Sequence, residues 1–338
     1  MDILIQIFAM PIERTHHLRA LIKRHKPQDQ GFTRTLKEVM TLMKEHYEIV
    51  WKRRRRIHRV LRDFGVNDQR SAEWHLKRSE MITASEVTKA YTSPSARHEL
   101  IMRKLVGKMP GDDDRPGALI WGTRMEPLAK KIYETIHGVN IVDTSCVQHP
   151  VHKFLGASPD GIIMPADPMD TRWGTLIEFK CPISRKFDDT TPVPDSYYHQ
   201  MQMQMECTGV DKCEYVEMQF RVVTSGVWEK DTSKFKGVFV TFDDGYTFYK
   251  DSSLSECGIN EWKKKDVLPL VDKHGEYRLQ YWIMPFHREF TVQKDPEWLS
   301  KHIVPLTDVW EEVLRHRAAG TFPGTASAKP ATTITLEL

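Results

Sequence analysis

The chain has 338 residues, of which 40% are hydrophobic and 28% are charged, and its formal net charge is only +3. This balance is typical of a globular protein, and no apolar run approaches the roughly 20 residues that a membrane span needs. The small net charge excludes a molecule that binds nucleic acid through its overall field, so any affinity for DNA has to come from local patches.

The N-terminal segment and the cysteines both indicate an intracellular protein. The opening MDILIQIFAMPIERTHH lacks the basic start and the small-residue cleavage site of a secretory signal. The five cysteines form no CxxC pair and have no zinc spacing, which is typical of unpaired thiols in a reducing compartment. We therefore expect a protein that is not secreted and has no membrane partner.

Helical periodicity dominates the first part of the chain. Residues 35–64 place apolar side chains at helical spacing, which predicts one long helix or two shorter ones. The second half of this segment carries a run of cations, which comprises Lys52, Arg53, Arg54, Arg55, Arg56 and Arg59. Such a run indicates either a solvated helix face or a patch that contacts DNA phosphates or directs nuclear import. The sequence leaves both interpretations open.

The main domain is expected to begin near Ser71 and to alternate helices with strands. The segment ALIWGTRMEPLAKKIYETIHG predicts a helix that stops at Gly138. The segments VNIVDTSCVQH and LGASPDGIIM predict a hairpin, and GTLIEFKCP predicts a strand buried in a central sheet. Residues 195–208 favour a helix, and the segments after them favour strands. This order predicts a mixed α/β domain built on a central sheet.

The C-terminal part is expected to contain one more amphipathic helix, within residues 286–317. Its predicted core face consists of Trp298, Ile303, Leu306, Trp310 and Leu314. Residues 318–338 are small and polar and include proline, which predicts disorder. The expected organisation is therefore a basic helical extension at 1–70, a main domain at 71–317 and a disordered tail.

Three carboxylates occur where a charge needs a partner: Glu126 on a predicted helix, Asp160 in a Pro-Asp-Gly turn and Glu178 in an apolar strand. Strand alternation puts Glu178 and Lys180 on one face, roughly 6.5 to 7 Å apart along the chain. Carboxylates of this kind bind a hard divalent cation, and a neighbouring ammonium orients or helps to deprotonate a water. The pattern favours phosphodiester hydrolysis. The alternative is a surface turn beside an edge strand that carries an alternating Glu/Lys pair.

Five motifs in sequence resemble one nuclease family. Pro159-Asp160 followed by Glu178-Phe179-Lys180 resembles the Pro-Asp…(Asp/Glu)-x-Lys core of the restriction-endonuclease-like superfamily. The segments EWHLKRSEMITASEV, ALIWGTRMEPLA, GASPDGI, IEFKCP and YYHQMQMQMECTG follow one another in the order seen in lambda-type exonucleases and YqaJ-like viral recombinases. The resemblance implies a restriction-endonuclease-like α/β core with extra helices at both ends.

The resemblance also implies a metal site and an activated water. Its ligands would be Asp160, Glu178, the backbone carbonyl of Phe179 and Glu126. Lys180 would activate or position the attacking water, and Gln200 would line the same site. The implied cofactor is Mg²⁺, with Mn²⁺ as a substitute.

Contacts to a DNA end are implied as well. Arg78 and Ser85 match a pair that receives a 5′-terminal phosphate. Tyr197 matches a position that lines the site, and Leu119 matches an apolar wedge that helps to separate the strands. From the residues alone, Arg78 equally fits a surface arginine, Ser85 a helix cap and Tyr197 a packing residue.

The implied function is a Mg²⁺-dependent 5′-to-3′ exonuclease that acts on linear duplex DNA and leaves 3′ single strands for recombination, repair or replication of a viral genome. Its partners would be duplex ends, a single-strand annealing protein and, in a trimer, further copies of the chain. A viral source would place it in the host cytoplasm or nucleus. Two alternatives remain, a structure-selective endonuclease or resolvase of the same superfamily and a catalytically inactive DNA-binding protein.

Overall fold

The computed structural model describes residues 54–62, 71–106, 117–167, 170–250 and 256–324, together with the single positions 41, 48, 52 and 69. Contacts divide the chain into two units, Met1–Arg59 and Val60–Leu338. Every described position of the predicted 35–64 helix is helical, and the rest of that prediction lies outside the described residues. No described helix is long and apolar enough to cross a membrane.

Two sheets occur in the second unit. The described strands are β1 (Ile82–Thr83), β2 (Asn140–Val142), β3 (Val147–Gln148), β4 (Leu155–Ala157), β5 (Gly161–Met164), β6 (Thr175–Lys180), β7 (Lys212–Val223), β8 (Phe235–Phe242), β9 (Thr247–Tyr249) and β10 (Tyr277–Gln293). The large sheet has the order β2-β5-β6-β7-β10-β8-β9, and the small one has the order β1-β4-β3. Within the large sheet β6 and β7 are parallel and the other neighbours are antiparallel.

Helices pack around the large sheet. The described α-helices are α1 (Ala72–Ser79), α2 (Pro94–Val106), α3 (Gly117–His137), α4 (Asp195–Thr208), α5 (Ser225–Lys230), α6 (Glu256–Trp262), α7 (Val271–His274) and α8 (Trp298–Ala319). A 3-10 helix covers Ala84–Ala90, and a π-helix (Lys263–Val267) and a 3-10 turn (Leu268–Leu270) link α6 to α7. This mixed α/β architecture on a central sheet confirms the predicted fold class.

The main core lies between α3 and one face of the sheet. The apolar side of α3, which includes Met125 and Ile132, packs with Ile177 and Phe179 of β6 and with residues of β7, β8 and β10. Since successive side chains of a strand point to opposite faces, Glu178 and Lys180 lie on the other face of β6, which α4 covers. The predicted shared face of Glu178 and Lys180 is confirmed.

The predicted hairpin between residues 140 and 164 is divided between the two sheets. β2 pairs with β5 in the large sheet, whereas β3 pairs with β4 in the small one. The division falls at Ser158-Pro159-Asp160, between β4 and β5, where Pro159 has no N–H to donate to a ladder. Asp160 therefore lies in a break between two strands rather than in a simple reverse turn.

Helix α4 is buried on nearly all sides of its second half. Methionine and glutamine alternate there with a period of two, which does not suit a helix with one apolar face, yet residues 200–205 are all buried. A helix segment covered on every side has no solvent face, so its apolar residues do not have to follow the helical period. The predicted helix at 195–208 is confirmed, and Gly209 ends it with a positive φ of 69°.

The predicted range 286–317 contains a helix, as expected, and it also contains the end of β10. Residues up to Gln293 belong to β10, which is long because it pairs with β7 and with β8. The helix, α8, begins at Trp298 and continues to Ala319, beyond the predicted end. Leu314 is 48% exposed and does not belong to the core face. The buried residues of α8 are Trp298, Leu306, Val309, Trp310 and Val313.

A buried ion pair ties β7 to β10 and to the segment after β6. Arg288 stands opposite Glu217 in the antiparallel register, and both side chains are buried. The guanidinium binds the Glu217 carboxylate and donates to the carbonyls of Asp188 and Thr191. Through Arg288, strand β10 therefore holds the loop that follows β6 in place.

Replacing Arg288 by methionine should lower the free energy of unfolding by about 3 kcal/mol, because the Glu217 carboxylate would stay buried after losing this partner. Urea denaturation of the full chain measures the change. The matched control is Arg221→Met, an exposed β7 arginine, which should change stability by less than about 0.5 kcal/mol. Equal stabilities of the two variants would contradict a stabilising role for the pair.

Candidate active site

A buried carboxylate, Glu178, lies at the centre of a hydrogen-bond network on the α4 side of the sheet. It is 2% exposed in the middle of the sheet. Its Oε1 accepts from Lys180 Nζ and from Gln200 Nε2, each at 2.6 Å. Its Oε2 accepts from Gln204 Nε2, also at 2.6 Å. One cation and two neutral amides thus compensate the buried charge, as a charge removed from water requires.

The Asp160 carboxylate is held beside this network by the backbone of β6. Its Oδ2 accepts the N–H of Phe179 at 2.7 Å. The next residue has to be glycine, because a Cβ on Gly161 would lie 2.3 Å from a methyl carbon of Ile141. Gln69 Nε2 donates to the Pro159 carbonyl at 2.8 Å and fixes the turn from outside. The Pro-Asp-Gly sequence therefore suits both the strand break and the close approach of β2.

The Asp160 carboxyl lies where its charged form is disfavoured. Burial raises the pKa of this carboxyl well above its usual range, and the charges of Glu178 and Glu126 raise it further, against the opposing effect of Lys180. The three predicted carboxylates are therefore close enough to interact electrostatically. Glu126 is half-buried on α3, two turns after Leu119, so the two lie on the same side of the helix about 10 Å apart along its axis. Leu119 is 58% exposed.

Lys180 keeps its proton in this environment. Burial lowers the pKa of its ammonium, but the charges of Glu178 and Asp160 outweigh that effect and hold the pKa above its ordinary value. The Nζ atom also lies 3.3 Å from Gln200 Oε1 and 4.5 Å from the centre of the Tyr197 ring. Tyr197 thus lies next to Lys180. A protonated lysine orients a water or a phosphate oxygen rather than removing a proton from it.

The donor chemistry fits a hard divalent cation. Across the described ranges, no group of three or more His, Cys, Asp or Glu side chains is arranged to hold a metal ion. The Glu178 oxygens face Lys180 and the two glutamines instead. However, carboxylate oxygens are the ligands that Mg²⁺ prefers. The pKa of Asp160 is raised by burial and then by the charges of Glu178 and Glu126, and a bound cation would oppose both effects.

A second site surrounds Arg78 at the end of α1. Its guanidinium donates to the hydroxyls of Ser158 at 3.3 Å, Thr83 at 3.2 Å and Ser85 at 3.2 Å. The indole of Trp74 stacks beneath it, with 4.3 Å between the guanidinium carbon and the ring centre. Burial lowers the pKa of Arg78, although an arginine still remains charged at neutral pH. A cation ringed by neutral hydroxyls is a suitable site for an anion.

A buried ion pair supports the Arg78 site from below. Glu86 accepts from Lys104 Nζ at 2.8 Å and from the Thr83 hydroxyl at 2.5 Å. Because the Thr83 hydroxyl donates its proton to Glu86, its oxygen is left to accept from Arg78. Burial raises the pKa of Glu86, and Lys104 outweighs this effect and lowers it. The pair therefore sets the direction in which the Thr83 hydroxyl points.

The structure brings most of the predicted residues together in two adjacent groups. Arg78 contacts Ser85, and Asp160 lies with Glu178, Lys180 and Gln200. Ser158 joins the two groups, because it binds Arg78 and precedes Asp160 by two residues. The cations of the basic segment belong to the other unit of the chain. Of these, Lys52, Arg55 and Arg59 are exposed, Arg54 and Arg56 are half-buried, and Arg53 lies outside the described residues.

Sequence reasoning missed four residues that organise the site. They are Ser158, Thr83, Glu86 and Gln204. A signal existed for three of them. Thr83 and Glu86 have the spacing of a capping box, and both of its hydrogen bonds are present. Gln204 follows Gln200 by four residues, which places both on one helix face. No signal in the sequence distinguished Ser158 from an ordinary turn residue.

Residues 73–211 match the model of the YqaJ-like viral recombinase domain. This part of the chain is similar to the YqaJ-like viral recombinase domain. The match runs from α1 to the residue before β7, so the matched range contains both the Arg78 group and the Glu178 network. The mixed α/β fold of this range is of the class that the sequence predicts. Strands β8 to β10 and helix α8 lie outside the matched range.

Individual relatives are distant. The uncharacterized protein R354 of Acanthamoeba polyphaga mimivirus is 23% identical over 255 residues, which are 72% of this chain but only 45% of that protein. An alkaline exonuclease from Laribacter hongkongensis is 21% identical, with a TM-score of 0.44, and the alignment covers 74% of this chain and 99% of that one. A phage-related exonuclease from Haemophilus somnus 129PT is 14% identical, with a TM-score of 0.39 and coverage of 71% and 96%.

An Asp160→Asn variant should be more stable than the natural protein at about pH 8 in the presence of a chelator. A carboxyl with a raised pKa stabilises the fold only while it is protonated, and that contribution is lost as the pH rises through its folded pKa. Asparagine keeps an acceptor for the Phe179 N–H without the charge. Thermal unfolding should show a difference that vanishes in mild acid. A natural protein as stable as the variant at every pH would contradict a raised pKa of Asp160.

Proposed function

We propose that this chain is a metal-dependent deoxyribonuclease that removes nucleotides from the 5′ ends of linear duplex DNA. The observation that supports the proposal is the adjacency of the two groups, a carboxylate and lysine network around Glu178 and a cationic, hydroxyl-ringed pocket around Arg78. Ser158 and Asp160, two residues apart, connect them. A terminal phosphate held by Arg78 would leave a nearby phosphodiester next to Asp160.

The proposed cofactor is Mg²⁺, with Mn²⁺ as a substitute, held by Asp160, Glu178, Glu126 and the Phe179 carbonyl. When bound, such a cation supplies Lewis-acid polarisation of the phosphate and lowers the pKa of a water. Lys180, protonated and 2.6 Å from Glu178, orients that water or a phosphate oxygen. Gln200 bridges the two, since its nitrogen donates to Glu178 and its oxygen accepts from Lys180.

The Arg78 group would supply the preference for an end. A guanidinium binds a phosphate through charge-assisted hydrogen bonds, and the hydroxyls of Ser158 and Ser85 can turn to donate to the remaining phosphate oxygens. A terminal phosphate carries more charge than an internal phosphodiester, so the pocket favours an end. Leu119, exposed on α3, would act as the wedge between the strands, and Tyr197 would contact the substrate beside Lys180.

The wider biological setting is part of the same proposal. The products would be 3′ single strands for recombination, repair or replication of a viral genome. A single-strand annealing protein would receive them, and a homotrimer would enclose the duplex. The basic segment from Lys52 to Arg59 would contact the DNA backbone.

The first test compares linear, nicked and covalently closed circular duplexes in the presence of Mg²⁺. The linear form should be digested and the closed circle left intact, because only the former offers a terminal phosphate. A Glu178→Gln variant should lose on the order of 10³-fold in rate while it still binds DNA. Efficient cutting of the closed circle would indicate an endonuclease, and equal activity of the variant would overturn the active-site assignment.

A second test addresses the Arg78 pocket. Arg78→Ala should reduce the preference for 5′-phosphorylated over 5′-hydroxyl ends about tenfold or more, because a charged hydrogen bond contributes about 1.5 to 3 kcal/mol. The measurement is the ratio of initial rates on the two ends. Arg221→Ala is the control, since it removes an exposed cation from β7 and should leave the ratio unchanged. An unchanged ratio in Arg78→Ala would contradict binding of the terminal phosphate by Arg78 and would leave this residue with a structural role.

A further inference from the structure

We propose that Gln204 is a positioning residue that fixes the orientation of the Glu178 carboxylate for a divalent cation. The inference rests on the proposed function of Glu178 as a metal ligand. Gln204 lies in the fully buried part of α4, and its exposed fraction is 0%. It would not touch the substrate or the cation, and it acts through Glu178.

The two oxygens of Glu178 are held by different partners. Oε1 accepts from Lys180 and from Gln200, so both of its lone-pair directions are in use. Oε2 accepts from Gln204 at 2.6 Å. Without Gln204, the Oε1 contacts would still anchor one oxygen, but the carboxylate plane could rotate about that anchor. The hydrogen bond from Gln204 therefore fixes the rotation of the carboxylate. That rotation determines the direction of the second lone pair of Oε2.

The neighbours of Gln204 fix the orientation of its own amide. Its oxygen lies 3.9 Å from the Sγ of Cys213, a weak donor, so the nitrogen faces Glu178. Burial raises the pKa of the Cys213 thiol well above its usual range, which keeps the thiol protonated. The amide thus has a donor on one side and a carboxylate on the other. It holds the carboxylate without adding a charge that would compete with a cation.

The chain offers a matched control two residues away. Gln202 is also fully buried in α4, but it faces the other side of the helix. Its nitrogen donates to the Gln293 carbonyl, and its oxygen accepts from the Asp295 N–H, each at 2.8 Å. Replacing either glutamine by methionine keeps the side-chain length and removes the amide. Only the change at position 204 touches the Glu178 network.

The experiment is a calorimetric titration of Mn²⁺ into the full chain and its variants. The Kd of Gln204→Met should rise about tenfold or more, since losing a residue that orients a metal ligand typically costs 10- to 100-fold in affinity. The Kd of Gln202→Met should stay within about twofold of the natural value. Gln204→Asn, which retains an amide one methylene shorter, provides a milder variant. Thermal unfolding without metal identifies variants that do not fold.

The outcomes separate this inference from the proposed function. Mn²⁺ binding by the natural chain that Glu178→Gln abolishes supports the proposed function. If Gln204→Met and Gln204→Asn then bind Mn²⁺ as tightly as the natural chain, the inference alone is overturned. Equal weakening in Gln202→Met and Gln204→Met would also overturn it, because general packing of α4 would then explain the effect. Absence of binding in the natural chain would overturn both.

Discussion

The burial of the Glu178 charge is the constraint on which the rest of the site depends. A carboxylate in the middle of a sheet needs several donors, and these come from its own strand through Lys180 and from α4 through Gln200 and Gln204. Helix α4 must therefore lie close against the sheet, and its second half is buried there. The same packing places Tyr197 beside Lys180. The geometry around one charge thus determines the position of a whole helix.

The break between β4 and β5 links this network to the Arg78 pocket. Pro159 ends one ladder, Gly161 permits the close approach of β2, and between them Asp160 turns towards the β6 backbone. Ser158, at the start of the same break, faces Arg78. The four consecutive residues 158–161 therefore contribute to both sites. A short and otherwise ordinary turn therefore sets the spacing between the Arg78 group and the carboxylates.

The sequence was sufficient for the parts of the site that depend on local rules. Strand alternation correctly put Glu178 and Lys180 on one face, and the glycine stop after α3 appeared at Gly138 with a φ of 62°. Sequence patterns were insufficient where residues far apart in the chain determine the extent of an element or the role of a side chain. The long strand β10 owes its length to pairing with two other strands, and the sequence did not separate its last residues from the helix that follows. Ser158 and Gln204 acquired their roles only from contacts that tertiary packing creates.

The central claim is that the carboxylate network and the Arg78 pocket together hydrolyse duplex DNA from a 5′ end. Digestion of a linear duplex with Mg²⁺, labelled in parallel at the 5′ or the 3′ end of one strand, tests it most directly. We expect early release of the 5′ label as mononucleotide. The 3′-labelled strand should shorten progressively, and the stretch of the complementary strand opposite the removed nucleotides should remain. Early release of the 3′ label, or internal cuts before either end is lost, would contradict it.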